Sequence, residues 1–565
     1  MKSKILCSTF LLLSFCTVAF GQKTILIDGN FSDWEDIPVV FEDLSGDGQS
    51  NGIDIRRIWT YNDDFNLYFR FELTKEINLQ ENNNLAIYID YDSNLNTGFK
   101  INGVGAEVRF FFGERYGLVQ DANDSEIVTF VPLGILSAPT VSGTQFEIAI
   151  SREIGVFGIN ITAEEQINFR IEDNAFNGDE APDDLGGISY ELDADNMAIL
   201  PEVNLDIPGS TDFRLLSYNI RNDQLFDPGR RNAYERIFQA LQPDIIAFQE
   251  IRDFNSSQTQ QLIEDFLPGH TWYHRKHGFD IVTISKYPIN FSEPIDGNAA
   301  FFLDVDGQEV LLINCHLPCC ENDNDRQREV DSIMKYIRDL KNGNGNYDVQ
   351  ESIPIIIAGD MNFVGDSNQP YTFQTGDIFF NGIYGPDFLP DWDDTELKDA
   401  DPQTTSSFGN FTWINFNGSF FPGKLDWVFY TDSQLSIENT FNLYTPGLSN
   451  EILSDYNLFS GDVLTASDHL PVVVDFAGNL VSTNNISTVD LSIFPNPTSR
   501  FLIAESDDTN ILQFQIFNQL GQLIIDQKTN DSRLEIDVSR LDSGSYFILL
   551  KTNAGPVTKS FLKVK

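Results

Sequence analysis

Ile353-Pro354-Ile355-Ile356-Ile357-Ala358-Gly359-Asp360-Met361-Asn362-Phe363 decides how the middle of the chain is read. The apolar run is short, rich in β-branched residues and opened by a proline, which reads as a strand buried on both faces rather than as a helix. It stops on Asp360, and Asn362 follows two residues later. Working outward, related segments recur: Ser217-Tyr218-Asn219-Ile220, Pro243-Asp244-Ile245-Ile246-Ala247-Phe248-Gln249-Glu250, Ile284-Ser285-Lys286-Tyr287-Pro288-Ile289, Ile313-Asn314-Cys315-His316-Leu317, Gly423-Lys424-Leu425-Asp426-Trp427-Val428 and Ser467-Asp468-His469-Leu470-Pro471. Most of them join an apolar run to a carboxylate, a carboxamide or an imidazole. Residues 231–241 and 326–340 have helical spacing, so residues 211–478 are predicted to form a layered α/β domain.

In that order the seven segments resemble the endonuclease/exonuclease/phosphatase superfamily, which includes deoxyribonuclease I, abasic-site nucleases and neutral sphingomyelinases. The resemblance implies a deoxyribonuclease I-like four-layer α/β sandwich and a metal-dependent phosphoric ester hydrolase. Such hydrolysis needs an activated water, neutralisation of charge on the phosphoryl oxygens and stabilisation of the departing alkoxide. Glu250 and Asp468 are hard oxygen ligands suited to Mg²⁺ or Mn²⁺, with Asn219 orienting Glu250 and the metal. His469 is the expected general base, its tautomer fixed by Asp426. Asp360 and Asn362 are expected to position the nucleophile and the phosphoryl group, and His316 to donate to the phosphate; members of the superfamily differ over whether Asp360 or His469 activates the water. Taken singly, each residue would be an ordinary cap or a hydrogen-bonded structural histidine. The weight lies in the set, since only five histidines occur in the chain and two fall in these segments.

With 85 Asp and Glu against 36 Lys and Arg in 565 residues, the chain carries a formal charge of -49, which excludes a basic nucleic-acid coat protein. The acidity works against binding long nucleic acid, although a bound cation and a local basic patch can offset it. Arg275 and Lys276, in His274-Arg275-Lys276-His277, are a candidate phosphate-binding edge, a solvated loop being the plainer reading. His316 stands where abasic-site nucleases have Tyr, and the flanks of Asp360 and Asp426 lack the signature of inositol polyphosphate phosphatases. An exported nuclease is therefore expected, with a sphingomyelinase-like phospholipid headgroup hydrolase or a non-catalytic surface glycan-binding protein as alternatives. The aromatic stretch from Phe379 to Trp392 reads as local packing, with contact to a lipid surface as the other choice.

Residues 22–205 alternate short β-type runs with Asn, Asp and Gly turns, which predicts a β-sandwich. Ile27-Asp28-Gly29 before Asp33-Trp34, and Ile89-Asp90-Tyr91-Asp92 before Asn94, Asn96, Thr97 and Gly98, resemble family 9 carbohydrate-binding modules. That resemblance implies a polysaccharide-binding module. Asp90, Asp92, Asn94 and Asn96 place oxygen atoms on alternating positions of one turn, either as Ca²⁺ ligands or as an Asx-rich turn without metal. Trp34 and Trp59 read as core aromatics rather than as a sugar-stacking platform.

Residues 490–565 are predicted to form a second, smaller β-sandwich after a linker at 479–489. The order Phe494-Pro495-Asn496-Pro497, Asn518-Gln519-Leu520-Gly521, Leu541-Asp542-Ser543-Gly544-Ser545-Tyr546 and Lys559 to Lys565 resembles the C-terminal sorting domain of the type IX secretion system. This implies a Bacteroidota-type source and the secretion machinery as a partner. At the other end, Lys2 and Lys4 precede an apolar run closed by Ala19-Phe20-Gly21, the pattern of a signal peptide over residues 1–21. The run is shorter than the roughly 20 residues of a membrane span, and bulky Phe15 argues against Cys16 as a lipid acceptor. Cys315, Cys319 and Cys320 then remain, too few for a disulfide framework but enough for one local bridge.

Overall fold

A computed structural model describes residues 23–43, 46, 52–121, 123–161, 166–200, 204–349, 352–478, 491–506, 509–518, 523–552 and 555–565. The expected signal peptide and linker lie outside them. The chain divides into two compact units, one reaching to residue 480 and one built chiefly from residues 481–565.

Two sheets form the middle of the larger unit. In the first, the order is Tyr273–His277, Ile281–Ser285, Ile245–Gln249, Phe213–Asn219, Val472–Gly478, Leu435–Asn442 and Gln403–Thr404. In the second, it is Ile289–Ile295, Asn298–Val305, Gln308–His316, Ile355–Asp360, Asp426–Tyr430 and Lys398–Asp399. Because side chains alternate across a strand, Ile356 and Ala358 meet Leu215, Ile245, Ala247 and Val474 of the facing sheet. Ile355 and Ile357 point the other way, onto Val330, Ile333, Met334 and Ile337 of the helix Asp323–Lys341. Leu216, Ile246 and Phe248 likewise pack outward against Tyr234, Ile237 and Phe238 of Arg231–Leu241, and against Leu262 and Ile263 of Ser256–Phe266. Helix, sheet, sheet and helix make the four expected layers. The sequence reading missed the helix Ser256–Phe266, whose Gln-rich face hides its period, and the strands Asn298–Val305 and Leu435–Asn442.

Residues 23–200 form the expected sandwich, a five-stranded sheet centred on Asn66–Ile77 and a seven-stranded sheet centred on Leu85–Asp90. Phe69, Phe71, Ile87, Phe110, Phe146 and Phe169 fill the space between them. Trp34 is fully buried and donates its indole N–H to Glu147 Oε2 at 2.8 Å, and Trp59 is buried beneath the Arg70 guanidinium, so neither is a sugar platform.

Sandwich and α/β layers are fused within the larger unit. Phe421, only 1 % exposed, belongs to the core of the sandwich, with its ring 5.4 Å from Phe110 and its backbone N–H donating to Gln80 Oε1 at 2.7 Å. Ile27 exchanges backbone hydrogen bonds with Phe408 and Asn410, and Lys424 N–H donates to Thr140 Oγ1 at 3.0 Å. Ser142 N–H reaches Gly365 O at 2.7 Å. The segment after Asn362 and the segment before Asp426 thus both hang on the N-terminal sandwich.

The smaller unit packs the sheets Leu491–Phe494, Phe501–Ser506, Arg533–Asp537 and Leu523–Asp531, Ile511–Phe517, Gly544–Thr552, Gly555–Lys563 around Leu502, Ile516, Ile548 and Leu550. Among the described residues no helix is long and apolar enough to cross a membrane.

Phe421→Ala is expected to cost about 3–5 kcal/mol, the usual loss for emptying a buried phenylalanine site. Denaturant titration followed by tryptophan fluorescence checks this; a loss below about 1 kcal/mol would show that Phe421 does not tie the two parts together.

Candidate active site

Strand register brings the site together. His316 lies beside Asp360 in the parallel pair, and Asp360 lies beside Asp426 in the antiparallel pair, so three predicted residues stand at one level of the second sheet. Gly359 permits this approach: a Cβ there would sit 2.0 Å from Cys315 O. From the first sheet, Asn219 Nδ2 donates to Asp360 Oδ2 at 2.8 Å and to Glu250 Oε1 at 3.2 Å, joining the two layers. Buried Asn314 adds a second tie, accepting from Gln249 Nε2 at 2.8 Å and donating to the carbonyls of Phe248 and Val282.

Asp360 is 2 % exposed and sits between two imidazoles, its Oδ2 lying 3.7 Å from His316 Nε2 and 3.6 Å from His469 Nε2. Each ring is held from behind by a carboxylate. His469 Nδ1 meets Asp426 Oδ2 at 2.8 Å, and His316 Nδ1 meets Asp280 Oδ2 at 2.8 Å. Asp426 is fixed in turn, since Thr412 Oγ1 accepts the backbone N–H groups of both Leu425 and Asp426. Asn362 takes a left-handed conformation, φ +49°, which turns its amide back to donate to Leu317 O at 3.0 Å.

Burial alone would discharge His469, but Asp426 and Asp360 outweigh it and hold the imidazole up to about 10. His316 follows the same pattern: burial opposes protonation, while the bond to Asp280 and the charges of Asp360 and Glu250 raise it. Burial also raises Asp360, with both histidines pulling against it.

Glu250, at φ +64°, accepts Asn222 N–H at 2.7 Å and faces the Arg252 guanidinium at 3.6 Å. Asp468 faces Arg221 Nε at 3.4 Å. At this site, among the described residues, the ligand atoms that cluster within 4.8 Å belong to Asp360, Asp426 and His469, a set without the expected Glu250 and Asp468. The donor set nonetheless suits a hard cation: Glu250 and Asp468 are partly accessible carboxylates, with Arg252 and Arg221 at 3.6 and 3.4 Å.

The basic stretch does not supply a phosphate edge through Lys276, whose ammonium is spent on the carbonyls of Arg252 and Phe254 at 2.9 and 2.8 Å. Arg275 donates to His274 O on an edge strand. In the sandwich, Asn94 Oδ1 is turned onto Asn96 N–H at 3.1 Å, and the residues that gather with Asp90 and Asp92 include Glu107 instead. Sequence reasoning passed over Asp280, Arg221, Arg252 and Thr412. A signal existed for the arginines, because each follows a predicted metal-site residue by two positions, in Asn219-Ile220-Arg221 and Glu250-Ile251-Arg252.

Since an ordinary histidine titrates near 6.5, the stability drawn from charged His469 is complete below that pH and is lost as pH rises toward about 10. Urea midpoints of chelator-treated protein should therefore fall across this range, and the fall should flatten in His469→Gln; an unchanged slope would overturn the assignment.

Residues 216–469 match the family model Endonuclease/Exonuclease/phosphatase family, and residues 492–564 match Secretion system C-terminal sorting domain. Among curated proteins, the ulvan lyase NLR42 of Nonlabens ulvanivorans is 34% identical over 85 residues, 15% of this chain and 16% of that protein, so the chain spans about a sixth of that relative's length. Similar solved structures include the human Nocturnin catalytic domain, 16% identical with a TM-score of 0.31, covering 47% of this chain and 94% of that one. They also include D. rerio TDP2 complexed with single strand DNA product, 14% identical with a TM-score of 0.31, covering 47% and 98%. ANGEL2, described as a 2',3'-cyclic phosphatase, is 14% identical with a TM-score of 0.32, covering 47% and 96%. The protein thus carries a central endonuclease/exonuclease/phosphatase family domain and a type IX C-terminal sorting domain, which marks it for export to the cell surface or beyond.

Proposed function

We propose that the protein is an exported phosphodiesterase that hydrolyses DNA or RNA. The observation carrying this reading is Asp360, held between two carboxylate-backed imidazoles, with Arg221 and Arg252 at the rim of the same site. Asn219, Glu250 and Asp468 would hold the Mg²⁺ or Mn²⁺, which supplies charge neutralisation at the phosphoryl oxygens. A water placed against Asp360 and His469 loses its proton to that pair, which faces across 3.6 Å and shares protons as one unit. His316, whose protonated form Asp280 favours, donates to a phosphoryl oxygen or to the departing alkoxide. Arg221 and Arg252 are free to turn from Asp468 and Glu250 toward flanking phosphates, giving an acidic protein the local positive charge that nucleic acid needs. For the lipid alternative, Phe379, Ile383 and Leu389 are exposed, whereas Phe388 and Trp392 pack inward, leaving a broken apolar surface.

In the N-terminal sandwich we propose a structural Ca²⁺ held by Asp90, Asp92 and Glu107. Glu107 is 1 % exposed, its Oε1 has no hydrogen-bond partner, and burial with the two aspartates pushes it up to about 7.

The test sets the chain from residue 22 onward, with Mg²⁺ or with chelator, against bis-(4-nitrophenyl) phosphate, plasmid DNA, RNA and sphingomyelin vesicles. Chelator-sensitive cleavage of DNA or RNA is expected, with kcat reduced about 10²–10⁴-fold in His469→Ala. Turnover confined to vesicles would replace the nucleic-acid reading, and activity untouched by both chelator and the substitution would overturn the mechanism. Arg252→Ala should raise KM for nucleic acid while sparing the small diester.

A further inference from the structure

We propose that Cys319 and Cys320 of the exported protein are joined in a vicinal disulfide, formed by exchange with a disulfide-bearing oxidant, which fixes the loop between His316 and the helix Asp323–Lys341. Both thiols are exposed and their sulfurs touch, Sγ to Sγ at 2.6 Å. Cys315 offers no competing partner, being fully buried with its thiol turned to Ile313 O. Adjacency alone does not bring two thiols together, because neighbouring side chains in extended backbone point apart. Here the backbone departs from that course, with Cys320 in the left-handed region at φ +65°.

That conformation is held by contacts independent of the sulfurs. Arg326, fully buried, donates to Pro318 O at 2.6 Å and to Cys320 O at 3.2 Å, and Asn322 Nδ2 donates to Cys319 O at 2.9 Å. On the other side Leu317 donates to Asp360 O at 3.0 Å and accepts from Asn362 Nδ2 at 3.0 Å. The loop therefore links two site residues to a buried arginine, with the cysteine pair at its bend. Cys320 also lines a polar cavity of about 370 Å³ with Ser142, Asp323 and Asp366, which admits a small oxidant.

A reactive or metal-binding role fits less well. A nucleophilic cysteine needs a positive charge directed at its sulfur; Cys320 lines its cavity with Glu321, Asp323 and Asp366, and Arg326 is engaged by backbone carbonyls and Asp323. The nearest predicted ligand, His316, is committed to Asp280. Exchange starts at Cys320, the thiol of the pair that lines the open cavity. Its thiolate attacks the oxidant's disulfide, forming a mixed disulfide and expelling one thiolate. Cys319 gives up its proton and attacks Cys320 Sγ, expelling the second thiolate. The protein loses two hydrogens and two thiols leave, so the oxidant takes up both electrons. Export supplies the setting, since disulfides persist outside the reducing cytosol.

The protein as recovered after export, handled without reductant, should have an intact mass two hydrogens below that of its reduced form. Native iodoacetamide should add nothing before mild reduction and two groups afterwards, both on the peptide carrying Cys319 and Cys320; Cys315 should label only in denaturant. Phenylarsine oxide, which bridges paired thiols, should bind one equivalent after reduction and none before. Two alkyl groups taken up without reduction, a bridge mapped to Cys315, or sulfinic or sulfonic acid masses would each overturn the proposal. None of these readings depends on phosphodiesterase activity, so failure of the functional reading leaves the test intact.

Discussion

A carboxylate buried where two sheets meet governs this domain. Asp360 has almost no access to water, and an isolated charge so placed would cost several kcal/mol. It is held by Asn219 from the opposite sheet and by two imidazoles whose protonated forms are favoured by the carboxylates behind them. Removing any one support leaves a buried charge without its counterpart. The arrangement is therefore mutually dependent, and it concentrates both proton donors and proton acceptors around one small volume.

Much of this was legible before any coordinates. Ile355 to Asp360 announces a strand by composition and a site by its last residue, and the order of the seven segments carries the layered fold. What could not be read is which residues face one another across non-adjacent strands. Asp280 looks like an ordinary strand-initiating aspartate of the first sheet until the stacking of the two sheets brings His316 of the second against it. Thr412, in a segment of short bridges, shows no pattern, yet its one hydroxyl receives two backbone N–H groups ahead of Asp426. Glu107 lies far from the turn at Asp90 in sequence and reaches it only through strand pairing. Lys276 shows the opposite failure: a basic run suggests a ligand surface, whereas burial turns the ammonium inward to carbonyls.

The N-terminal sandwich changes meaning once its contacts are known. As sequence it reads as an appended module, set off by Leu200-Pro201 and Pro208-Gly209. In the fold it supplies the pocket for Phe421, the acceptor for Lys424 N–H and the strand partner of Phe408 and Asn410. These lie on the stretch that delivers Asp426 to His469. Lys424 itself, buried and paired with Asp399 and Asp401 at 2.6 and 2.8 Å, ties that stretch to the second sheet from the other side.

The shared site of Phe421 bears on how such a gene can change. A terminal domain with a core of its own, like the one around Leu502 and Ile548, can be exchanged between genes at its linker without a compensating mutation elsewhere. A domain that lends its interior to its neighbour cannot, because any replacement would have to bring a cavity shaped for the same phenylalanine. The N-terminal sandwich and the α/β layers are thus expected to pass through recombination as a single block, while the sorting tail is free to move.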